Sequence, residues 1–505
     1  MLFNSWTFIA FLALVLAAWR CATIFDRHRI GLAIILAASC VFYAWDGLRF
    51  FAIFSGSIVG NLAFGNLIHA SSGRRRLTLT TTAVIVNICL LGWFKYSGFF
   101  ASVLGINHSW INEIALPIGI SFYTFVQIAF IIDIHRGVST DLDWLRYGLF
   151  VTFFPHLIAG PIIHHREVMP QFERVPRRSW TRDLAVGLSI FATGLAKKVL
   201  LADPLSLVAD PVFSAAAERS SITMIDAWAG VLAYHLQIYF DFSGYSDMAI
   251  GISRMFGIHL PVNFIVPYRS LSITEFWRRW HVTLSRFLRD YLYIPLGGNR
   301  LGPAKQARNL AVVMLLGGLW HGAGWGFVLW GALHGMALAI AILLRQFLPK
   351  LPAVISWALT FLFVAFAWIP FRANDLEAAG HVFLALVLGA PPVIENFDAS
   401  VFVRTAVLQA IGLAEGGGNI FAMLVVLPVA LAVVLFAPST AMLFRKVGGA
   451  GMSSPGYPLP TDAGWRTGTH WAFRLDARWA CVVGFLLATC LAKLNDVSSF
   501  IYFRF

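Results

Sequence analysis

Residues 315–335 read "LLGGLWHGAGWGFVLWGALHG", an apolar run that carries two histidines, His321 and His334, and seven glycines. Smooth lipid-facing helices have no use for that composition. A titratable group at membrane depth is costly unless it faces protein or a water-filled cavity, and glycines let helices approach closely or break. His321 is therefore a candidate functional residue. On an unbroken helix His334 would project roughly 220° away from it, at about 100° per residue, so the two could not line one wall. His334 is read as structural.

Outward from this run the same texture continues. Of the 505 residues, 58% are hydrophobic and 12% charged, where soluble domains carry roughly 25% charge, and mean hydropathy is +0.73. Apolar runs near 4–19, 30–45, 48–69, 77–94, 114–134, 145–163, 184–202, 226–250, 310–345, 353–371, 378–390, 419–437 and 479–493 approach or exceed a bilayer-spanning length. Several are short or interrupted by Gly or Pro, so about eleven crossings are expected. Unpaired backbone cannot face lipid and alternating ~10-residue strands are absent, so the expected class is an all-α polytopic membrane protein with surface and re-entrant helices. The first segment lacks a basic flank and a cleavage site and is expected to be retained. Cys21, Cys40, Cys89, Cys481 and Cys490 show no CxxC spacing, so neither a disulfide framework nor a metal site is indicated.

The formal charge of +13 has a location. Arg20, Arg27 and Arg29 follow the first span and Arg74, Arg75 and Arg76 the third, whereas Asp46 follows the second. The positive-inside rule places the N-terminus outside. Eight basic residues, Arg269, Arg278, Arg279, Arg286, Arg289, Arg300, Lys305 and Arg308, then face only Glu275 and Asp290 between Tyr268 and Arg308. That segment is expected in the cytosol, either gripping anionic lipid or docking an anionic donor; nucleic acid is not an expected partner.

Within it lies "WRRWHVTLSRFLRDYLYIPLGGNR", residues 277–300. Ser272 and Glu275 make a capping-box pattern, and Ile273, Phe276, Trp277, Trp280, Leu284, Phe287, Leu288 and Tyr291 form a stripe at helical spacing. One helix along the membrane surface is expected. On it Arg278, Arg279, Arg286 and Arg289 share the wet face, Trp277 and Trp280 guard an entrance, and His281 sits at the border, able to look inward. "PLGGNR" ends it.

At this point a family resemblance becomes specific. "LPIGISFYTF" (116–125), "FFPHLIAGPI" (153–162), "YFDFSGYSDMAIGISRMFGI" (239–258), "NFIVPYRSLSITEFWRRWHVTLSRFLRDYLYIPLGGNR" (263–300), "GGLWHGAGWGFVLWGALHG" (317–335) and "FIYFRF" (500–505) resemble, in order, the membrane-bound O-acyltransferase family, within it the bacterial alginate O-acetyltransferase branch. The resemblance implies helices around a central tunnel. It also implies His321, in "WHG", as general base, and His281, in "RWH", as its positioning or electrophilic partner. The implied donor is acetyl-coenzyme A, whose phosphates would suit Arg278, Arg279, Arg286 and Arg289. The implied partner is a periplasmic SGNH-type acetyltransferase that completes O-acetylation of an exopolysaccharide; the implied location is the bacterial inner membrane.

No GxSxG elbow marks a serine hydrolase. His235, Gln237, Tyr239, Asp241, Tyr245 and Asp247 are read as structural hydrogen bonders, and His164 and His165 as loop residues. The chain is expected to be one membrane domain with N-terminal hairpins over 1–95, a motif-bearing core over 110–345 and C-terminal helices over 346–505, with a basic cytosolic loop over 438–478. Peptidoglycan acetylation, D-alanyl transfer, a transporter and a non-catalytic export scaffold stay open as alternatives, although no repeated halves are visible.

Overall fold

A computed structural model describes residues 1–106, 114–138, 140–173, 180–345, 347, 351–390, 422–447, 472–494 and 498–501. Apart from one isolated bridge, Thr223 to Ala390, the regular structure among them is helical. In chain order the main helices are α1 (Trp6–Ile24), α2 (His28–Ala44), α3 (Leu48–His69), α4 (Gly73–Val103, with a π-turn at Gly92–Tyr96), α5 (Ile120–His135), α6 (Trp144–Thr152) and α7 (Trp180–Ala217). They continue as α8 (Met224–Met255), α9 (Ile273–Arg279), α10 (Val282–Leu288), α11 (Pro303–His321), α12 (Trp325–Leu343), α13 (Ala353–Arg372), α14 (Leu376–Leu388), α15 (Ala422–Phe436) and α16 (Ala477–Ala492). Six of the described helices are long and apolar enough to cross a membrane, and five more are apolar but shorter. The protein is an all-α, multi-pass membrane protein.

Side chains start these helices as the sequence dictates. Ser5, Asp143, Thr223, Ser272, Asp375 and Asp476 each accept a hydrogen bond from a first-turn backbone N–H, which satisfies an otherwise orphaned donor. The capping box at α9 closes through Ser272 Oγ, 3.2 Å from Glu275 N, and Glu275 Oε2, 2.7 Å from Leu271 N.

Helices meet where glycine removes the side chain. A Cβ on Gly194 of α7 would come within 2.6 Å of Gly244 O of α8, and one on Gly251 within 2.6 Å of Gly187 O, so the two backbones touch. The "LLGGLWHGAGWGFVLWGALHG" run is two helices rather than one. It turns at Gly322–Gly324, and α12 returns against α11 with Gly331 seated over Met314 O, which an added Cβ would meet at 2.5 Å.

Polar groups in the 231–250 segment are tied down by partners far away in sequence. Lys197 pairs with Asp247 at 2.6 Å, and Thr440 Oγ1 donates to the same carboxylate at 2.6 Å. Lys198 pairs with Asp241 and Asp203, each at 2.7 Å. Residues 498–501 close on this pair: Ile501 N donates to Asp241 at 2.9 Å, Lys198 to Ser499 O at 3.2 Å, and Asn4 to Ser498 O at 3.1 Å. Most of the 438–478 loop, and residues 502–505 of the "FIYFRF" motif, lie outside the described residues.

Candidate active site

Where the sequence led us to expect one surface helix, the chain breaks. Helix α9 ends at Arg279, Trp280 is extended, and His281 adopts a left-handed conformation with φ 42° and ψ 53° before α10 begins. Residues other than glycine seldom sit there, and such strain, of order 1–3 kcal/mol, persists only where surroundings enforce it. Here they do. Ile265 N donates to Arg279 O and Val282 N to Asn263 O, both at 2.9 Å, so the strand-like 263–265 stretch staples both sides of the break.

Asn263 also fixes the ring. Its Oδ1 lies 2.9 Å from His281 Nδ1 and accepts from Thr283 Oγ1 at 2.9 Å, while its Nδ2 donates to Ser246 Oγ at 3.1 Å. Thr283 Oγ1 in turn accepts from Ile162 N at 3.0 Å. Three of the quoted motifs therefore converge on one imidazole. Because Asn263 presents an oxygen, Nδ1 carries the proton and Nε2 the lone pair. Nε2 is buried with no hydrogen-bond partner. A neutral His281 in this tautomer has no N–H left to offer an oxyanion; it can accept a proton or a hydrogen bond.

His321 ends α11 and is 4% exposed. His281 lies within electrostatic range of it, as do Lys95 and His334. Trp320 neighbours both imidazoles, its ring 6.3 Å from His281 and 5.0 Å from His321. Trp330 and Phe371 pack on His321 at 5.1 and 5.3 Å, and Phe242 on His281 at 4.8 Å. The result is a dry aromatic wall around two neutral-capable bases. Beside it opens a cavity of about 120 Å³ lined by His321, Trp320, Lys95, Ser121 and Ile158.

The helix break also redirects His334. Since α12 folds back, His334 lies 4.8 Å from Trp330, and Trp277 Nε1 donates to His334 Nδ1 at 3.3 Å. The one-helix projection that set it apart from His321 does not hold, because the turn at Gly322–Gly324 divides the run.

The arginine face is not a face. Arg279 is buried and pairs with Glu275 at 2.6 Å; Arg286 is buried and pairs with Glu167 at 2.6 Å. Arg278 is exposed, and Arg289, partly exposed, pairs with Asp290 at 2.6 Å. A helical wheel assumes charged side chains seek water; a carboxylate one turn back on the same helix, Glu275, and one brought in from elsewhere, Glu167, overrule it. Trp277 and Trp280 are likewise buried in the aromatic packing instead of standing at an entrance, Trp280 at 5.3 Å from Trp368. His164 and His165 are buried too. Asp133 receives Tyr291 Oη at 2.7 Å and lies 3.3 Å from His165 Nδ1, while His164 stacks on Tyr291 at 5.8 Å. Among the described residues no three His, Cys, Asp or Glu side chains are grouped to hold a metal ion.

Sequence reasoning passed over Asn263, Thr283, Ser246 and Lys95. Asn263 opened a quoted motif without attracting notice. Lys95, a lone cation among aromatics in "GWFKYSGFF", carried the same signal that singled out His321.

The family model described as MBOAT, membrane-bound O-acyltransferase family, matches residues 81–371. A peptidoglycan O-acetyltransferase of Helicobacter pylori is 43% identical over 388 residues, covering 70% of this chain and 73% of that protein. A probable alginate O-acetylase of Azotobacter vinelandii is 46% identical over 368 residues, covering 70% and 72%. A teichoic acid D-alanyltransferase of Streptococcus thermophilus is 29% identical over 232 residues, covering 44% and 56%.

Proposed function

The chain belongs to the membrane-bound O-acyltransferase family, and from that premise we propose that it moves an acetyl group from cytosolic acetyl-coenzyme A toward O-acetylation of an exopolysaccharide such as alginate. That it is an acyltransferase of the membrane follows from the family; donor, acyl group and acceptor are our reading. The observation that carries it is the convergence of His281 and His321 on one aromatic-walled site.

In this reading His321 is the general base. It takes the proton of an acceptor hydroxyl as that oxygen attacks the thioester carbonyl; the tetrahedral adduct collapses with C–S cleavage, and the leaving thiolate takes the proton back from the imidazolium. His281, with Nε2 as acceptor, positions the reacting group. The cavity of about 120 Å³ suits a short acyl group, since roughly 150 Å³ accommodates a benzene-sized molecule.

Location supports the direction of transfer. His321 is the last residue of α11, roughly 27 Å along the helix from Pro303 at 1.5 Å per residue, and Lys95 stands a similar rise, roughly 30 Å, from Arg75. Both lie well along their helices from the cationic loops expected in the cytosol. In this reading a hydroxyl arriving from the outer side, on a periplasmic SGNH-type acetyltransferase, meets a thioester delivered from within, and the enzyme belongs to the bacterial inner membrane. Arg278 and, in part, Arg289 are the members of the expected quartet left to meet the donor's phosphates.

Peptidoglycan is the second reading for the acceptor, favoured by the Helicobacter pylori relative. Transfer of label from acetyl-coenzyme A in native-host membranes tests the proposal. Label that appears on polysaccharide supports it, label on peptidoglycan selects the second reading, and transfer undiminished in His321→Ala sinks the two-histidine site.

A further inference from the structure

Helix α11 ends at His321, and the residues after it, Gly322 to Gly324, are extended or turning and cannot complete its last turn. The final carbonyls of a helix have no partner of their own. Here they are met from another helix. Tyr96 Oη donates to Leu319 O at 2.6 Å, and Lys95 Nζ donates to Trp320 O at 2.5 Å and to His321 O at 3.1 Å. A cation at a helix C-terminus also complements the helix dipole.

Lys95 has a third contact, Ser121 Oγ at 3.0 Å. An ammonium has three N–H donors, and all three are engaged. Although Lys95 lines the same cavity as His321, it has no proton to spare for an oxyanion unless one of these bonds breaks. Its chemistry is therefore positional. Both residues sit on the π-turn Gly92–Tyr96, a distortion that costs helix stability and is found mostly at functional sites. Packing holds the ring of His321, and these donors hold the carbonyls of the turn that carries it.

We propose that Lys95 and Tyr96 form a clamp on the C-terminal carbonyls of α11 that positions His321 for acyl transfer. The role rests on the two-histidine reading above, and it deepens that reading by naming what aims the base. The clamp also joins the N-terminal hairpins to the catalytic motif, through Lys95, Tyr96 and Ser121.

The test measures labelled acetyl transfer from acetyl-coenzyme A in native-host membranes, normalised to folded protein, for Lys95→Met, Lys95→Arg and Tyr96→Phe. A misaimed base should lower kcat about 10- to 100-fold in Lys95→Met with donor KM within about twofold, because displacements near 1 Å cost rates of that order. Lys95→Arg should recover part of the loss, and Tyr96→Phe should lose about 3- to 10-fold, as expected when one donor is removed from an aligned site. Folded Lys95→Met with kcat near the parent overturns the clamp. So does a raised donor KM at unchanged kcat, or arginine no better than methionine. If Lys95→Met does not fold, Tyr96→Phe decides: folded with parental kcat, it overturns the proposal. His321→Ala run in parallel separates the readings, since its activity sinks the site itself, whereas an inactive His321→Ala beside active clamp variants sinks the clamp alone.

Discussion

His281 and His321 reach one site from segments held in different ways. The 263–288 segment is bound by polar contacts: two buried arginine pairs, a strained backbone stapled by two hydrogen bonds, and an asparagine that dictates a tautomer. The 311–335 segment is bound by fit, with glycine against carbonyl and tryptophan against imidazole, and by three donor bonds at its last turn. The difference teaches where precision comes from. A polar network fixes a proton's position; a packed hairpin fixes a ring's depth.

The comparison breaks first at the base. His321→Ala should cut transfer about 10²- to 10⁴-fold, the usual worth of a general base, while the protein still inserts and elutes as folded in detergent. On the polar side, Arg286→Met strands Glu167 in a buried setting and should cost about 3–5 kcal/mol in denaturant unfolding; Arg286→Met with Glu167→Leu should recover most of it, since removing both charges is far cheaper than removing one. Unequal losses of this kind would confirm that the arginine is structural. Asn263→Leu should leave the fold nearly intact yet lower kcat about 10- to 100-fold by releasing the His281 ring, read as kcat against donor KM. Arg278→Gln should have the smallest effect, a rise in donor KM of up to about fivefold that salt reproduces, as exposed ion pairs are worth about 0–1 kcal/mol.

Periodicity and composition were enough to read the helices, because lipid enforces apolar runs of fixed length. They also pointed to His321, because a histidine in such a run is expensive; His281 came from the border of the 273–291 stripe and from the "RWH" motif. What stayed hidden was everything set by partners distant in sequence. The wheel put Arg286 in water since it could not see Glu167, whereas Arg279 has a partner four residues back on its own helix, Glu275, that was readable by spacing. It kept 277–291 as one helix since the force that breaks it comes from Asn263 and Ile265, lying across the gap. It gave His334 its bearing on a helix that the Gly322–Gly324 turn divides. His164 and His165 looked like loop residues because nothing local announces Asp133 and Tyr291. Lys95 was readable in principle by the rule applied to His321.

The closure of residues 498–501 on Lys198 and Asp241 imposes an order in time. Asp241 receives the backbone N–H of Ile501, 260 residues later in the chain, and translation at about 5–20 residues per second delivers that partner roughly 13–52 s after Asp241 itself is made. For that interval the nascent protein holds an incomplete charge cluster beside the helices that will carry His281 and His321. Quality control in the membrane has that interval, roughly 13–52 s, in which to mistake a correct intermediate for a failed one, so pausing or truncation late in synthesis should expose the enzyme to degradation far more than the small size of the missing segment would suggest.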